Sequence, residues 1–544
     1  MPMGRTFSVA LVGLNGHVVE VEADIGQTLP NFVLLGLPDA SLNEAKERIR
    51  AAAHNSGIPL SRRKITVNLV PASLPKKGSA FDLAILMAAL RAAGDVRDTG
   101  RTVFIAELGL DGRLRPVRGI LPAVMAAVRA GFADFAVAAG NAREADLVPG
   151  ARVVGYGSLA RVALDFGADP QNLVLDEYPG LDLVGTPDQI PAGVLVGGPP
   201  GLRQGAASGA ASGAVSGAVA GAVESLPDLS DVAGQQEARE ALEVAAAGGH
   251  HLLMVGPPGA GKTMLAERLP GLLPDLDDAE AMEVTAIHSL DGGAASVSAL
   301  IRRPPYERPH HTASTVSIIG GGSGLPRPGA ASRAHKGVLF LDEAPEYERK
   351  VLDALRQPLE SGELILHRSA GTASYPARFQ LVLAANPCPC GKAAGKGMEC
   401  TCSAMDRRRY FGRLSGPLLD RVDIQLQVHR LSLAELSATG ERDSTAVVAE
   451  RVRMARERQR RRLADYGLAR NAEVSGKLLR GIFRLPAPER VLLDRALESG
   501  TLTARGYDRV LRLSWTLADL AGTRRPGSKE VGIALSMRQQ GLGS

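Results

Sequence analysis

The chain has 544 residues, too long for one hydrophobic core, which predicts about three domains that each bury their own apolar interior. Hydrophobic residues at 45% and charged residues at 22% are those of an ordinary globular protein, whereas 4% aromatics and 62 glycines indicate many turns and a core poor in rings. A net charge of +5 neither demands nor excludes a polyanionic partner, so local arginine clusters must decide that; no basic region leads into an apolar run and cleavage site, so a cytoplasmic protein is expected.

In chain order, residues 1–175 combine alternating strand-like stretches at 64–70 and 103–108 with a helical stretch at 82–92, and predict a compact α/β domain. Residues 176–226 are rich in Gly, Pro, Ala and Ser and lack the periodicity of a packed element, which makes them a linker. Within them, residues 204–223 carry no charge and are long enough to cross a bilayer, but they contain no Leu, Ile or Phe. Such weak apolarity opposes insertion, so a flexible linker and no membrane partner are expected.

From residue 227 to 435 the pattern becomes strand, glycine loop, helix. An apolar strand at 251–255 leads into GPPGAGKT and a helix from Met264, a second buried strand at 338–341 ends in Asp342 and Glu343, and a third at 379–385 ends in Asn386. Strands that deliver polar residues at their carboxyl ends predict a parallel sheet covered by helices. Residues 436–544 are mostly helical, with an arginine-heavy stretch at 451–462 and an amphipathic one at 507–520, and predict a smaller helical lid.

The loop Gly256, Pro257, Pro258, Gly259, Ala260, Gly261, Lys262, Thr263 matches G-x-x-x-x-G-K-T, in which bare backbone amides curl round phosphate oxygens and the next helix points its positive end at them. A chance glycine turn is the alternative, and the loop's place between a strand and a helix disfavours it. Lys262 is expected to reach the β and γ phosphates of ATP, while the Thr263 hydroxyl and Asp342 offer the oxygen ligands that Mg²⁺ prefers. Glu343, beside Asp342 after a run of apolar residues, is placed to orient an attacking water, and Asn386 to hold that water or the γ phosphate.

GPPGAGKT, GVLFLDE, AANP and SGPLLDRVD occur in this order, together with PHHTAS at 309–314, LRQPLESG at 355–362 and NPCPCG at 386–391. This array resembles the magnesium-chelatase-like AAA+ ATPases, specifically the ComM/YifB family, over nearly the whole chain except the linker. The resemblance implies an AAA+ P-loop NTPase core with a helical C-terminal lid. It also implies that Arg421, in LLDRVD, is an arginine finger acting in the neighbouring subunit's site, and that Arg505, in TARGYDR, is the sensor arginine of the lid. A finger in trans requires a neighbour, so a nucleotide-dependent ring, a hexamer, is expected. The magnesium-chelatase motor subunit itself is not expected to carry an N-terminal domain like this one.

That N-terminal domain resembles the Lon protease fold around residues 75–83 and 112–131. Aligning PKKGSAFD with that family's PKDGPSAG puts Ala80 at the nucleophile position with Ser79 one place off, and the expected lysine falls near Leu121 or Ala123. Serine-lysine chemistry needs both groups within hydrogen-bond reach. A catalytically empty domain is expected, with Ser79 acting beside Lys76 or Lys77 as the dissenting reading.

All four cysteines, Cys388, Cys390, Cys400 and Cys402, lie in one C-x-C-x9-C-x-C segment at 388–402. Paired thiolates suit tetrahedral Zn²⁺, free thiols being the alternative, and His310 and His311 read as loop residues outside the cluster. Arg407, Arg408 and Arg409, and the seven arginines of 451–462, are candidate phosphate contacts or a solvated or intersubunit face. Aromatic residues for base stacking are sparse, so sequence-specific reading is not expected. The resemblance tips the balance toward a motor for branch migration, acting on branched, forked or single-stranded DNA, with residues 362–377 forming a hairpin toward a central pore. The rivals are a chelatase-type protein remodeller and an ATP switch without motor activity.

Overall fold

The computed structural model describes residues 3–26, 29, 31–36, 39–60, 64–72, 74, 76, 78–175, 227–291, 297–322, 326–368, 371–393, 400–432, 435 and 442–539. The expected linker at 176–226 lies outside them. The chain forms two compact units, the first of residues 1–223 with 288–300, the second of residues 224–287 with 301–544.

In the first unit, strands cross a sheet in the spatial order Phe32–Leu35, Lys64–Val70, Asn15–Gly26, Gly4–Val12, Val103–Ile105, Asp134–Ala138, Arg152–Tyr156. Asn15–Gly26 pairs antiparallel with both of its neighbours, and the remaining pairings are parallel. Lys64–Val70 shows the alternation that a half-buried strand requires, with Ile65, Val67 and Leu69 turned into the core. The stretch at 103–108, expected as one strand, is two. Val103–Ile105 stays in the sheet, whereas Glu107–Leu108 leaves it to pair with Leu114–Arg115 in a separate ribbon. The break falls at Ala106, whose carbonyl accepts the Leu83 amide at 3.4 Å.

That amide opens the helix Asp82–Ala93, which is apolar on almost every side because the core surrounds it, and which stops at Gly94 in the left-handed region.

The second unit is built on a five-stranded parallel sheet in the order Tyr306–Glu307, Val338–Leu341, Gln380–Ala385, Leu252–Val255, Ile424–Gln427. Successive residues of its strands enter two different apolar clusters. Leu252, Met254, Val338, Phe340, Val382 and Ala384 face one, while Leu253, Val255, Leu339, Leu341, Leu381 and Leu383 face the other. Burial on both faces explains why these strands read as continuous apolar runs rather than alternating ones.

The first face is covered by helices Gln236–Gly248 and Lys262–Leu272, and the helices after residue 442 join the same cluster through Val452, Leu493, Val510, Trp515 and Val531. Helix Ala504–Ala521 contains the predicted amphipathic stretch and ends at Gly522, again left-handed. No helix among the described residues is long and apolar enough to cross a membrane.

Candidate nucleotide site and cysteine cluster

Three strands bring the predicted groups to one edge of the parallel sheet. Gln380–Ala385 lies between Leu252–Val255 and Val338–Leu341, so its carboxyl end sets Asn386 between the glycine loop and Asp342. The loop's glycines have separate reasons. A Cβ on Gly256 would stand 2.2 Å from the Val428 carbonyl oxygen, and Gly259 and Gly261 have φ of +77° and +92°, which side-chain-bearing residues rarely adopt. The helix begins at Lys262, two residues before the expected Met264, so the lysine stands on its first turn.

The Lys262 ammonium donates to the Gly256 carbonyl at 2.6 Å, the Pro257 carbonyl at 3.1 Å and Asn386 Oδ1 at 3.1 Å. Burial pushes its pKa down, against the upward pull of Asp342 and Glu343. A desolvated cation in a cradle of backbone amides and carbonyls is matched to an anion of high charge density. The Thr263 hydroxyl donates to Asp342 Oδ2 at 2.8 Å, which places two hard oxygen donors together, as Mg²⁺ demands.

Glu343 has φ of 51°, and its amide donates to Asp342 Oδ1 at 3.0 Å. Its carboxylate instead lies 3.1 Å from His311 Nδ1. Arg308 reaches Asp342 Oδ2 at 3.1 Å and Glu267 at 3.0 Å. Both partners were missed in the sequence, where His311 reads as a loop residue and Arg308 is not singled out. They follow Tyr306–Glu307, a strand of two residues with no periodicity to reveal it, which lies parallel to Val338–Leu341 in the register Tyr306↔Val338. The PHHTAS motif just downstream was the only available signal.

Arg421 and Arg505 come together at a second place. Arg505 donates to Asp420 at 3.0 Å, Arg421 pairs with Glu360 and the Pro417 carbonyl, and the Arg421 Nε is buried without a partner. Burial lowers the pKa of Arg421, and the charges of Arg356, Arg505 and Arg509 lower it further. A crowd of guanidiniums of this kind suits a multiply charged anion.

The segment that carries Arg421 is tied to the C-terminal helices. Arg509 donates to the fully buried Asp423 at 2.6 Å, Arg538 donates to the Val422 carbonyl, and His250 lies 3.2 Å from the other Asp423 oxygen. Burial alone would push the Asp423 carboxyl up, but Arg509 and His250 hold it well below the usual carboxylate range.

The arginines of 451–462 do not form one solvated basic face. In helix Thr445–Leu463, Arg451 chelates Glu243, Arg456 caps the Ala246 carbonyl, Arg458 donates to the Asp519 carbonyl, and Arg462 binds Asp519 and Asn471. Arg453, Arg460 and Arg461 are exposed, and each has a glutamate of its own helix beside it. Most of this charge is used to bind helix Gln236–Gly248 and the C-terminal helices together. Arg407, Arg408 and Arg409 are exposed, on helix Ala404–Phe411. Glu363–Arg368 and Gly371–Pro376 form the predicted hairpin, with His367 and Arg368 exposed near its tip.

The cysteine sulfurs of Cys388, Cys390, Cys400 and Cys402 all lie within 4.8 Å of one another. Three of the separations are 3.2, 3.7 and 3.7 Å. Four sulfurs bound tetrahedrally at the usual Zn–S length stand about 3.8 Å apart. In the first unit, Ser79 donates to Glu107, the buried Lys76 donates to the Pro71 carbonyl, and Lys77 lies outside the described residues. Leu121 and Ala123 are buried apolar residues of helix Ile120–Arg129.

A parallel sheet with a phosphate loop, a hydroxyl and a carboxylate at metal spacing, and a second carboxylate beside them defines an AAA+-like ATPase. Family profiles agree. "Magnesium chelatase, subunit ChlI" matches residues 228–436, "Subunit ChlI of Mg-chelatase" matches 21–141, and "Magnesium chelatase, subunit ChlI C-terminal" matches 442–538. Competence protein ComM of Haemophilus influenzae is 38% identical over 541 residues, covering 99% of this chain and 98% of its own. YifB of Escherichia coli, an uncharacterized protein, is 38% identical over 525 residues, covering 96% and 94%. An uncharacterized protein of Mycobacterium tuberculosis is 48% identical over 544 residues, covering 99% of both chains. The chain belongs to the ComM/YifB family of magnesium-chelatase-like proteins.

Proposed function

We propose that this protein is an ATP-driven ring motor that moves branched or forked DNA. The observation that carries the reading is the division of its site into two constellations. Lys262, Thr263, Asp342, Glu343 and Asn386 gather at the sheet edge, while Arg505 pairs with Asp420 and Arg421 with Glu360. Among the described residues, Arg421 pairs with Glu360 and the Pro417 carbonyl and Arg505 with Asp420, none of which belongs to the phosphate loop. Arginines that stabilise a transferred phosphoryl group and sit away from their own chain's phosphate site act on a neighbour's, which requires a ring, and we take it to be a hexamer.

In this reading Lys262 and the loop amides bind the ATP phosphates, and Thr263 and Asp342 hold Mg²⁺, whose chemistry is to neutralise phosphate charge. Glu343 leaves His311 to polarise the attacking water, and Asn386 exchanges the Lys262 ammonium for water or phosphate oxygen. Residues 227–435 form the AAA+ core and 436–544 the lid. Residues 1–175 form a Lon-like domain without a working serine-lysine pair, joined by the linker at 176–226. The four cysteines bind Zn²⁺, and the protein works in the cytoplasm.

The DNA reading is supported by the hairpin with its exposed His367 and Arg368, by the exposed Arg407, Arg408 and Arg409, and by the name competence protein carried by one relative. Backbone contacts without base readout fit the scarcity of aromatics. The test is strand displacement or junction movement on forked and branched substrates, with ATP against a non-hydrolysable analogue. Movement with ATP alone is expected. Brisk hydrolysis with no DNA structure moved, or even bound at low salt, assigns the motor to a protein substrate instead.

A further inference from the structure

The cysteine loop meets the nucleotide site at two points. Cys388 follows Asn386 by two residues, so the thiolate and the polar side chain leave the same strand end. Gly391 lies in the left-handed region at φ +74°, so close to the phosphate loop that a Cβ there would stand 2.7 Å from two ring carbons of Pro258. Its amide donates back to the Cys388 carbonyl at 3.0 Å, which closes the first cysteine pair into a turn. At the far end, Cys402 precedes Ser403, the N-cap of helix Ala404–Phe411, where Ser403 and Asp406 form a capping box. That helix carries Tyr410, 4% exposed and so packed inward. The loop therefore leaves from beside Asn386 and leans on Pro258.

What holds such a loop in one shape is not its own packing. Residues 388–402 include three glycines and two alanines, and Met398 is their only large apolar side chain, so the segment cannot build a core. Cys388 is fully buried, whereas Cys390 is exposed, so the cluster sits at the surface end of the sheet with one wall against the core. Thiolates at tetrahedral separations supply the missing cross-link when a soft-tolerant divalent ion joins them.

We propose that Cys388, Cys390, Cys400 and Cys402 bind one Zn²⁺, and that this metal-clamped loop positions Asn386 and Pro258 for ATP hydrolysis. The cysteines are positioning residues, acting through Asn386 rather than on the nucleotide. The proposal rests on the assignment of Asn386 to the hydrolytic site and on zinc as the ion held. Removing the ion leaves Lys262, Thr263 and Asp342 on their own elements, so nucleotide affinity persists while the asparagine loses its fixed place.

The experiment uses the full-length protein purified without chelator. Metal analysis is expected to give about one zinc per chain, and Co²⁺ in its place to give the thiolate charge-transfer absorption of a tetrahedral sulfur site. Stripping the ion with a chelator is expected to lower kcat about tenfold, leave KM for ATP within about twofold, and be reversed by Zn²⁺ alone. Cys390→Ser is expected to reproduce the loss, and Cys390→His, which keeps a zinc ligand, to restore most of the rate. Adding Cys390→Ser to Asn386→Ala is expected to cause no further loss, because both changes remove one positioned group.

Less than a tenth of an equivalent of metal overturns the zinc assignment itself. Bound zinc whose removal leaves kcat unchanged overturns the coupling alone, as do losses in kcat that multiply in the double variant. If Cys390→Ser fails to fold, the chelation and zinc cycle on the unaltered chain decides the question.

Discussion

Lys262 and Glu343 both serve the phosphate end of the site, but through different physics. The lysine is a desolvated cation held by three oxygen acceptors, and ATP must replace some of them with phosphate. Lys262→Ala is therefore expected to abolish nucleotide binding, measured by fluorescent-nucleotide titration. Glu343 contacts His311 rather than the loop, so Glu343→Gln is expected to keep binding and to lower turnover by about a hundredfold or more. Wild-type turnover in the Gln variant would refute its role toward water.

In the first unit, Asp82 is nearly fully buried beside Arg48 at 2.9 Å, and burial outweighs that partner, raising its pKa from 3.8 to about 6. The folded chain then keeps a proton that the unfolded chain releases. Stability of this unit is expected to fall as pH rises from about 4 to about 6, and Asp82→Asn to flatten that slope, as read by calorimetry.

At the scale of elements, helix Thr445–Leu463 shows how charge composition misleads. Its arginines read as candidate phosphate contacts or as a solvated or intersubunit face, yet Arg451 and Arg456 reach partners 208 and 210 residues away and are spent on tertiary contacts. Helix Ala404–Phe411 keeps its arginines exposed. Changing Arg407, Arg408 and Arg409 to Ala is expected to reduce the slope of log affinity against log salt by about two to three on forked DNA, because each lost phosphate contact removes about 0.7–0.9. The same change at Arg453, Arg460 and Arg461, which pair with Glu450 and share Glu457, is expected to change the slope by about one at most. Fluorescence anisotropy across a salt series distinguishes the two, and a flat response in both variants would remove the DNA role of the first helix. The hairpin at 363–376 was legible beforehand because its strands are adjacent in the chain, whereas Tyr306–Glu307 was not, being defined only by the strand beside it.

For the whole molecule, the proposed role of Arg421 in a neighbour's site makes a prediction about assembly. Arg421→Ala subunits are expected to bind ATP without turning it over, and Lys262→Ala subunits to bind none. Mixed rings should regain part of the activity, because an intact site then faces an intact finger across some interfaces. No recovery at any ratio would place Arg421 in its own chain's chemistry.

The sequence by itself determined the phosphate loop, Asp342 with Glu343, Asn386 and the cysteine cluster. Phosphate and metal chemistry demands given residue types at short spacings, and buried parallel strands announce themselves as apolar runs. It also carried the family, through the order of its motifs. Only the tertiary structure decided what lies across the chain. It joined Arg308 and His311 to the carboxylates, set Arg505 beside Asp420 over 85 residues, and gave Arg451, Arg456, Arg458 and Arg462 partners outside their own helix. A charged side chain takes its role from whichever partner the fold brings within about 4 Å, and no local pattern encodes that distance.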